Sequence, residues 1–163
     1  MKKQSIYLAG GCFWGLEELF SQQPGVINTE VGYCGGTNDN PNYRNHPGHA
    51  ESLKIEYDIE KTNYSKLIDY FFRIHNPTTI NQQGNDIGTS YRSAIFYQSQ
   101  AEYNQALDMI DKVNHSSIYK SPVVTSLEKF IKFYSAEDYH QDYLKKHPNG
   151  YTCHYLRTPT TIS

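Results

Sequence analysis

No apolar stretch in this chain approaches the ~18–20 residues that a membrane-spanning helix needs. Charge of one sign is not concentrated anywhere. The 15 basic and 17 acidic residues leave a formal net charge of −2, with no basic stripe for nucleic acid and no acidic tail. No Cys-x2-Cys or His-x3-His pair occurs, and the adjacent Cys153-His154 is a poor chelate, so no structural zinc is expected. Internal repeats and low-complexity tracts are missing as well. The apolar segment after the basic Met1-Lys2-Lys3-Gln4 is too short for a secretory signal. Cysteine is scarce. Cys12, Cys34 and Cys153 are odd in number and widely separated, which excludes a disulfide scaffold within the chain. In a reducing compartment such a set suggests redox or nucleophilic use. The expectation is a cytoplasmic protein of one domain, residues 1–163, long enough to bury its own core.

What the chain does have is tyrosine, 15 in all, and one conspicuous turn. Ser5-Ile6-Tyr7-Leu8-Ala9 reads as a buried strand. Gly10-Gly11 allows a sharp turn, and Phe13, Leu16 and Phe20 then recur at helical spacing. Cys12 therefore falls at a helix start, where backbone N–H groups lack partners and the helix dipole is positive. A thiol there is expected to be more acidic than an ordinary cysteine. A lone cysteine in an apolar stretch is most often buried filler. Filler, however, needs no Gly-Gly approach and no Phe13-Trp14-Gly15 behind it. On this motif alone both readings stay open.

The rest of the chain alternates irregularly between strand and helix patterns. Strands are expected at Val26 to Tyr33, around Leu53-Ile55-Tyr57 and at Ser93 to Tyr97. Val123 to Leu127 and Lys129 to Tyr134 read as a pair of short strands. Helices are expected after a cap at Thr62 or Asn63, along Tyr103 to Val113, and over Ala136 to Lys146. Polar loops cover 34–49 and 78–92. Late strands too close for helical crossovers argue for an α+β two-layer sandwich with a mixed or antiparallel sheet.

A thiol nucleophile needs an acid for whatever leaves. Glu51, at the start of an alternating strand and just after Gly48-His49-Ala50, is the best candidate, although a strand-end carboxylate is usually just solvated. His49 is the alternative, as the base of a Cys-His pair. Tyr43 after Pro41-Asn42, and Asp86 and Tyr91 in the second loop, could be presented to a site or belong to ordinary turns. His140 among Tyr139 and Tyr143 reads as a packed structural histidine. Cys153, in an aperiodic tail after Pro148-Asn149-Gly150, could swing to a sulfenic acid and close a disulfide.

Taken together, these pieces resemble the A-type peptide-methionine sulfoxide reductases. The resemblance rests on Gly11-Cys12-Phe13-Trp14-Gly15, Gly32-Tyr33-Cys34-Gly35-Gly36, Pro41-Asn42-Tyr43-Arg44, Gly48-His49-Ala50-Glu51, Gln83-Gly84-Asn85-Asp86 with Tyr91-Arg92-Ser93, and Tyr139-His140-Gln141. It implies a ferredoxin-like core and reduction of the S epimer of methionine sulfoxide, free or in proteins. It further implies that Cys12 attacks the sulfoxide sulfur and Glu51 protonates the oxygen. Tyr43, Asp86 and Tyr91 would hold that oxygen, and Phe13 and Trp14 would enclose the S-methyl group. Cys153, on a mobile tail 150–163, would resolve the Cys12 sulfenic acid, with Cys34 the weaker candidate. Thioredoxin would reduce the disulfide, with no metal or other cofactor, and the enzyme is expected to act as a monomer. Many members carry two tail cysteines where this chain has one. The competing readings are a thiol peroxidase or disulfide oxidoreductase using Cys12, and a module that binds methionine-rich peptides through its aromatics.

Overall fold

The computed structural model describes residues 2–162; Met1 and Ser163, the outer ends of the expected domain, lie outside the described residues. The elements run β1 (Lys3–Gly10), α1 (Phe13–Ser21), β2 (Val26–Cys34), β3 (Ala50–Asp58), α2 (Tyr64–Ile74), β4 (Gln82–Gln83), β5 (Asp86–Ile87), β6 (Ser93–Tyr97), α3 (Gln100–His115), β7 (Ser126–Lys129), β8 (Phe133–Ser135) and α4 (Tyr143–Lys146). Six strands form one sheet in the order β7-β6-β1-β3-β2-β8, while β4 and β5 make a small separate hairpin. All pairs in the large sheet are antiparallel except β6 with β7. The inner order β6-β1-β3-β2, with α1 and α2 as its crossovers, is the split βαβ arrangement of the ferredoxin-like core. The sheet is therefore mixed and the architecture α+β, as the sequence pattern implies. No helix among the described residues is long and apolar enough to cross a membrane.

Strand alternation divides the interior in two. Ile6, Leu8, Val31, Tyr33, Leu53, Ile55 and Ile95 face the helices and pack with Phe13, Phe20, Ile68, Phe71 and Met109. The opposite face carries Tyr7, Ala9, Cys34, Ala50, Ala94 and Phe96, covered by Phe130 and Phe133. Small side chains on that second face let the sheet curl. The curl is forced by the chain itself: Lys129 ends β7 and Phe133 begins β8, so the connection reaches at most about 14 Å. Five flat strand spacings would need about 24 Å. The edges close over Tyr7, whose ring stacks on Phe130 at 4.1 Å and meets Phe133 at 5.6 Å.

Two expectations about the later chain are corrected here. The short strands near 123–134 do not pair with each other; each adds to a different edge, β7 on β6 and β8 on β2. The stretch Ala136 to Lys146 is not one helix. Gln141 spends its side chain on the edge of β2, accepting from Val31 N–H and donating to Val31 C=O, both at 2.9 Å. Asp142 adopts a left-handed φ of 52° and donates its N–H to Glu17 at 2.7 Å. These tertiary bonds outweigh helix continuation, leaving a 3-10 turn at Asp138–His140 and the four-residue α4.

Of the two proposed caps for α2, Asn63 is the one used; its side chain accepts from Lys66 N–H at 2.9 Å. Asn63→Ala should cost about 1 kcal/mol, lowering the melting temperature by roughly 2–4 °C in a circular-dichroism melt.

Candidate active site

The site begins where β1 turns into α1. Gly11 takes φ +92°, a left-handed conformation that side chains resist, and throws the chain up into the helix. Cys12 stands just before the first helical residue and supplies no side-chain cap. The first N–H groups of a helix have no partner within it. That of Phe13 finds one in Glu51, whose Oε1 accepts at 3.1 Å. The pairing follows from register. Leu8 lies opposite Leu53 in the antiparallel β1–β3 ladder, so two further residues along each strand bring Gly10 level with Glu51. Period two then gives Glu51 the same face as Leu53 and Ile55, the face that α1 covers.

Both groups are out of water: Glu51 is 1% exposed and Cys12 7%. Desolvation penalises the charged form of each. The Glu51 carboxyl is pushed up to about 8 by burial and by the charge of Asp86, against the pull of the Phe13 N–H. Cys12 is pushed well above an ordinary thiol, first by burial and then by Glu51; the Trp14 N–H acts in the opposite sense. This overturns the expectation of an acidic thiol. The helix start is present, but loss of water and a neighbouring carboxyl outweigh it. At neutral pH the pair rests as a thiol beside a carboxylic acid.

Hydrogen-bond donors and acceptors gather around them. Tyr43, in the loop before β3, and Tyr91, at the end of the 3-10 turn Thr89–Tyr91, bond to each other through their hydroxyls. Burial and the Glu51 charge raise both phenols, so each remains an O–H donor. Asp86 opens β5, opposite Gln83, and its charge is felt at Cys12, Glu51, Tyr43 and Tyr91. His49 lies elsewhere: its ring bonds to Gly36 N–H at 3.0 Å and to Asn38 O at 2.9 Å, bracing the 34–49 loop.

Aromatic rings form the wall. Phe13 is fully buried, 5.8 Å from Tyr33. Trp14 stacks on Tyr143 at 3.8 Å with nearly parallel planes. His140, read from the sequence as structural packing, proves to be the hub. Its Nδ1 accepts from Trp14 Nε1 at 3.0 Å, and its ring lies 5.1 Å from Phe13, 4.8 Å from Tyr43 and 4.2 Å from Tyr139. Its Nε2 is buried without a hydrogen-bond partner among the described residues. Only the aromatic neighbours in Tyr139-His140-Gln141-Asp142-Tyr143 hinted at this.

The tail returns over the turn. His154, buried and thereby held neutral with its pKa lowered to about 4, donates from Nε2 to Gly10 O at 2.6 Å. Tyr151 donates to Asp86 Oδ2 at 3.1 Å. Beyond them, Arg157 N–H bonds to Arg73 O and Ile162 N–H to Asp69 Oδ2, both at 2.8 Å. Any excursion of the 150–163 segment must break these bonds. Cys153, half-buried with a free thiol, sits against Gly84, near enough that ionising it would oppose ionisation of Cys12. Cys34 is on the other face of the sheet, its thiol donating to Lys132 O at 3.3 Å, and does not join the cluster. Neither Tyr151 nor His154 could be singled out beforehand, since contacts with residues 65 and 144 positions away leave no local pattern.

With the tail docked, two larger clefts lie away from Cys12. One of about 550 Å³ is lined by Gly35, Asp39, Lys129 and Lys132, another of about 420 Å³ by Lys61, Lys66 and Arg73. Among the described residues no group of three His, Cys, Asp or Glu is placed to hold a metal ion.

Comparison with known proteins is consistent with this chemistry. The family pattern described as "Peptide methionine sulfoxide reductase" matches residues 4–162. A Nocardia farcinica protein named peptide methionine sulfoxide reductase MsrA is 57% identical over 150 residues, covering 92% of this chain and 88% of that one. The crystal structure of Mxr1 from Saccharomyces cerevisiae in reduced form superimposes with a TM-score of 0.89 at 36% identity, covering 96% of this chain and 93% of that one. Mxr1 in complex with Trx2 gives a TM-score of 0.67 at 26% identity, covering 96% and 91%.

Gly15 makes room for the tail: a Cβ there would run into Thr152 Oγ1 and His154 Nδ1. Gly15→Ala favours the helix itself, by up to ~1 kcal/mol, yet should lift the tail. The expected outcome is a folded protein in which Cys153 is alkylated faster than in the parent, read by mass spectrometry under native conditions.

Proposed function

The chain belongs to the peptide methionine sulfoxide reductases, and we propose that it reduces the S epimer of methionine sulfoxide through Cys12, Glu51 and Cys153. Reduction of methionine sulfoxide is the family's activity. The observation that carries the finer reading is the Glu51 carboxyl, buried on the Phe13 N–H beside the Cys12 thiol. A sulfoxide oxygen is a poor leaving group and must gain protons as sulfur is attacked. A carboxyl held at about 8 is still an acid at neutral pH and can supply one.

The steps up to the sulfenic acid balance without an outside reagent. The Cys12 sulfur bonds to the sulfoxide sulfur as Glu51 gives its proton to the oxygen. The carboxylate left behind takes the Cys12 thiol proton, whose release burial and the Glu51 charge otherwise oppose. The hydroxyl then passes from the methionine sulfur to the Cys12 sulfur, the S–O and S–S bonds to methionine break, and methionine leaves with Cys12 as a sulfenic acid. Tyr43 and Tyr91 donate hydrogen bonds to the oxygen during transfer, and Asp86 accepts once it is protonated. Phe13 and Trp14, the latter oriented by His140 and Tyr143, receive the S-methyl group by shape and ring-face contact. Cys153 then attacks Cys12, water departs, and a disulfide remains. A thioredoxin-type dithiol reduces it in the cytoplasm; the yeast Mxr1–Trx2 complex supports this partner.

Cys12→Ser should abolish reduction of S-methionine sulfoxide. Cys153→Ser should release about one equivalent of methionine per chain and then stall with thioredoxin alone. Peptide mapping after substrate, without reductant, should find the bridge between Cys12 and Cys153. Loss of peroxide faster than of sulfoxide would favour a peroxidase instead.

Glu51→Gln should slow reduction by at least ~100-fold, and the parent's rate should fall as pH rises through about 8. Stability should fall with rising pH as well. Folding raises the carboxyl from 4.5 to about 8, so between those values the folded chain holds a proton that the unfolded chain has released. Stability of the parent thus declines as pH rises across that window. Glu51→Gln removes the decline and should melt higher than the parent above about pH 8, measured by calorimetry.

A further inference from the structure

The reaction as written leaves Tyr151 without a part. Its hydroxyl donates to Asp86 Oδ2 at 3.1 Å, across from the turn Gly84-Asn85. The Cys153 sulfur comes to the same place: a Cβ on Gly84 would lie 3.7 Å from Sγ and 4.0 Å from the Tyr151 oxygen. One phenol therefore touches a carboxylate assigned to the sulfoxide oxygen and stands beside the thiol assigned to resolve the sulfenic acid. On the far side, His154 is pinned to Gly10 O, so the four residues 151–154 straddle the Cys12 turn with an attachment at each end.

We propose that Tyr151 is a positioning residue for the resolving step: its hydroxyl holds Asp86 whenever the substrate oxygen does not, and thereby seats the Cys153 sulfur over Cys12. The proposal rests on the assignment of Asp86 to the oxygen and of Cys153 to resolution. The oxygen, once protonated, and the Tyr151 hydroxyl both donate to the same carboxylate, so they compete. Proton transfer from Glu51 to the bound sulfoxide oxygen therefore displaces the tail at Asp86. Departure of methionine returns that oxygen to Tyr151, and resolution follows. In that step the Cys153 thiol loses its proton, its sulfur bonds to Cys12 sulfur, and the S–O bond breaks. Hydroxide leaves with the proton as water; Cys153 sulfur is oxidised and Cys12 sulfur reduced.

Tyr151→Phe in the full chain removes one oxygen from a partly exposed ring and should leave the fold intact, checked by its melting curve. The reduced variant is mixed with methionine S-sulfoxide, and methionine and the Cys12–Cys153 disulfide are followed separately in quenched samples. The methionine burst should keep its amplitude, with its rate at saturating sulfoxide raised. Disulfide formation should slow, each change being roughly three- to tenfold, the worth of one ordinary hydrogen bond. Tyr155→Phe, on the same tail, should match the parent in both. A Tyr151→Phe disulfide rate equal to the parent's would overturn the role of Tyr151 while sparing the resolver. A parent that forms no Cys12–Cys153 disulfide at all would overturn the resolver and this inference together.

Discussion

A carboxyl group stripped of water, with a single backbone N–H in compensation, governs the arrangement around it. The bond from Phe13 to Glu51 joins two requirements that arise independently. A helix start has N–H groups to satisfy, and a strand that alternates faces must turn every second side chain inward. Here the inward residue at the end of β3 is acidic, and the β1–β3 register delivers it beneath the turn that carries Cys12. The N–H is too weak a partner to keep the carboxyl ionised, so the proton stays. Tyr43, Tyr91 and Asp86 then matter because they face an acid and a thiol that both still hold their hydrogens.

Much of this was legible in the chain itself. The Gly-Gly-Cys turn, the strand carrying Glu51 and the α2 face all follow patterns that act over a few residues, and the structure carries each of them. The failures share a cause. The expected paired strands at 123–134 have the right alternation but the wrong neighbours, because pairing is decided by a sheet curl that no local pattern encodes. The helix expected over Ala136 to Lys146 is broken by bonds from Gln141 and Asp142 to β2 and α1, more than a hundred residues away. The thiol's acidity was misjudged for a similar reason: the dipole of a helix is local, whereas burial by strand and tail is not.

The tail gives the two outer glycines of Gly11-Cys12-Phe13-Trp14-Gly15 separate duties. Gly11 is demanded by backbone conformation, with its φ of +92°. Gly15 has ordinary helical geometry and is demanded by space, since Thr152 and His154 pass where its side chain would be. His140 belongs to the same logic. Its Nδ1 fixes the Trp14 indole, while the partnerless Nε2 carries the proton of a neutral ring at the centre of the collar. A buried donor without a partner is costly in an empty pocket and is relieved by any acceptor brought into it.

The two buried cysteines are divided by a wall one strand thick. Cys34 points into the alanine-lined hollow closed by Phe130 and Phe133, whereas Cys12 opens toward the helical side and the tail. The β1–β3–β2 ladder lies between the two sulfurs. A reagent arriving from solvent therefore finds Cys12 and Cys153 on one side of that partition, and must open the other side to reach Cys34.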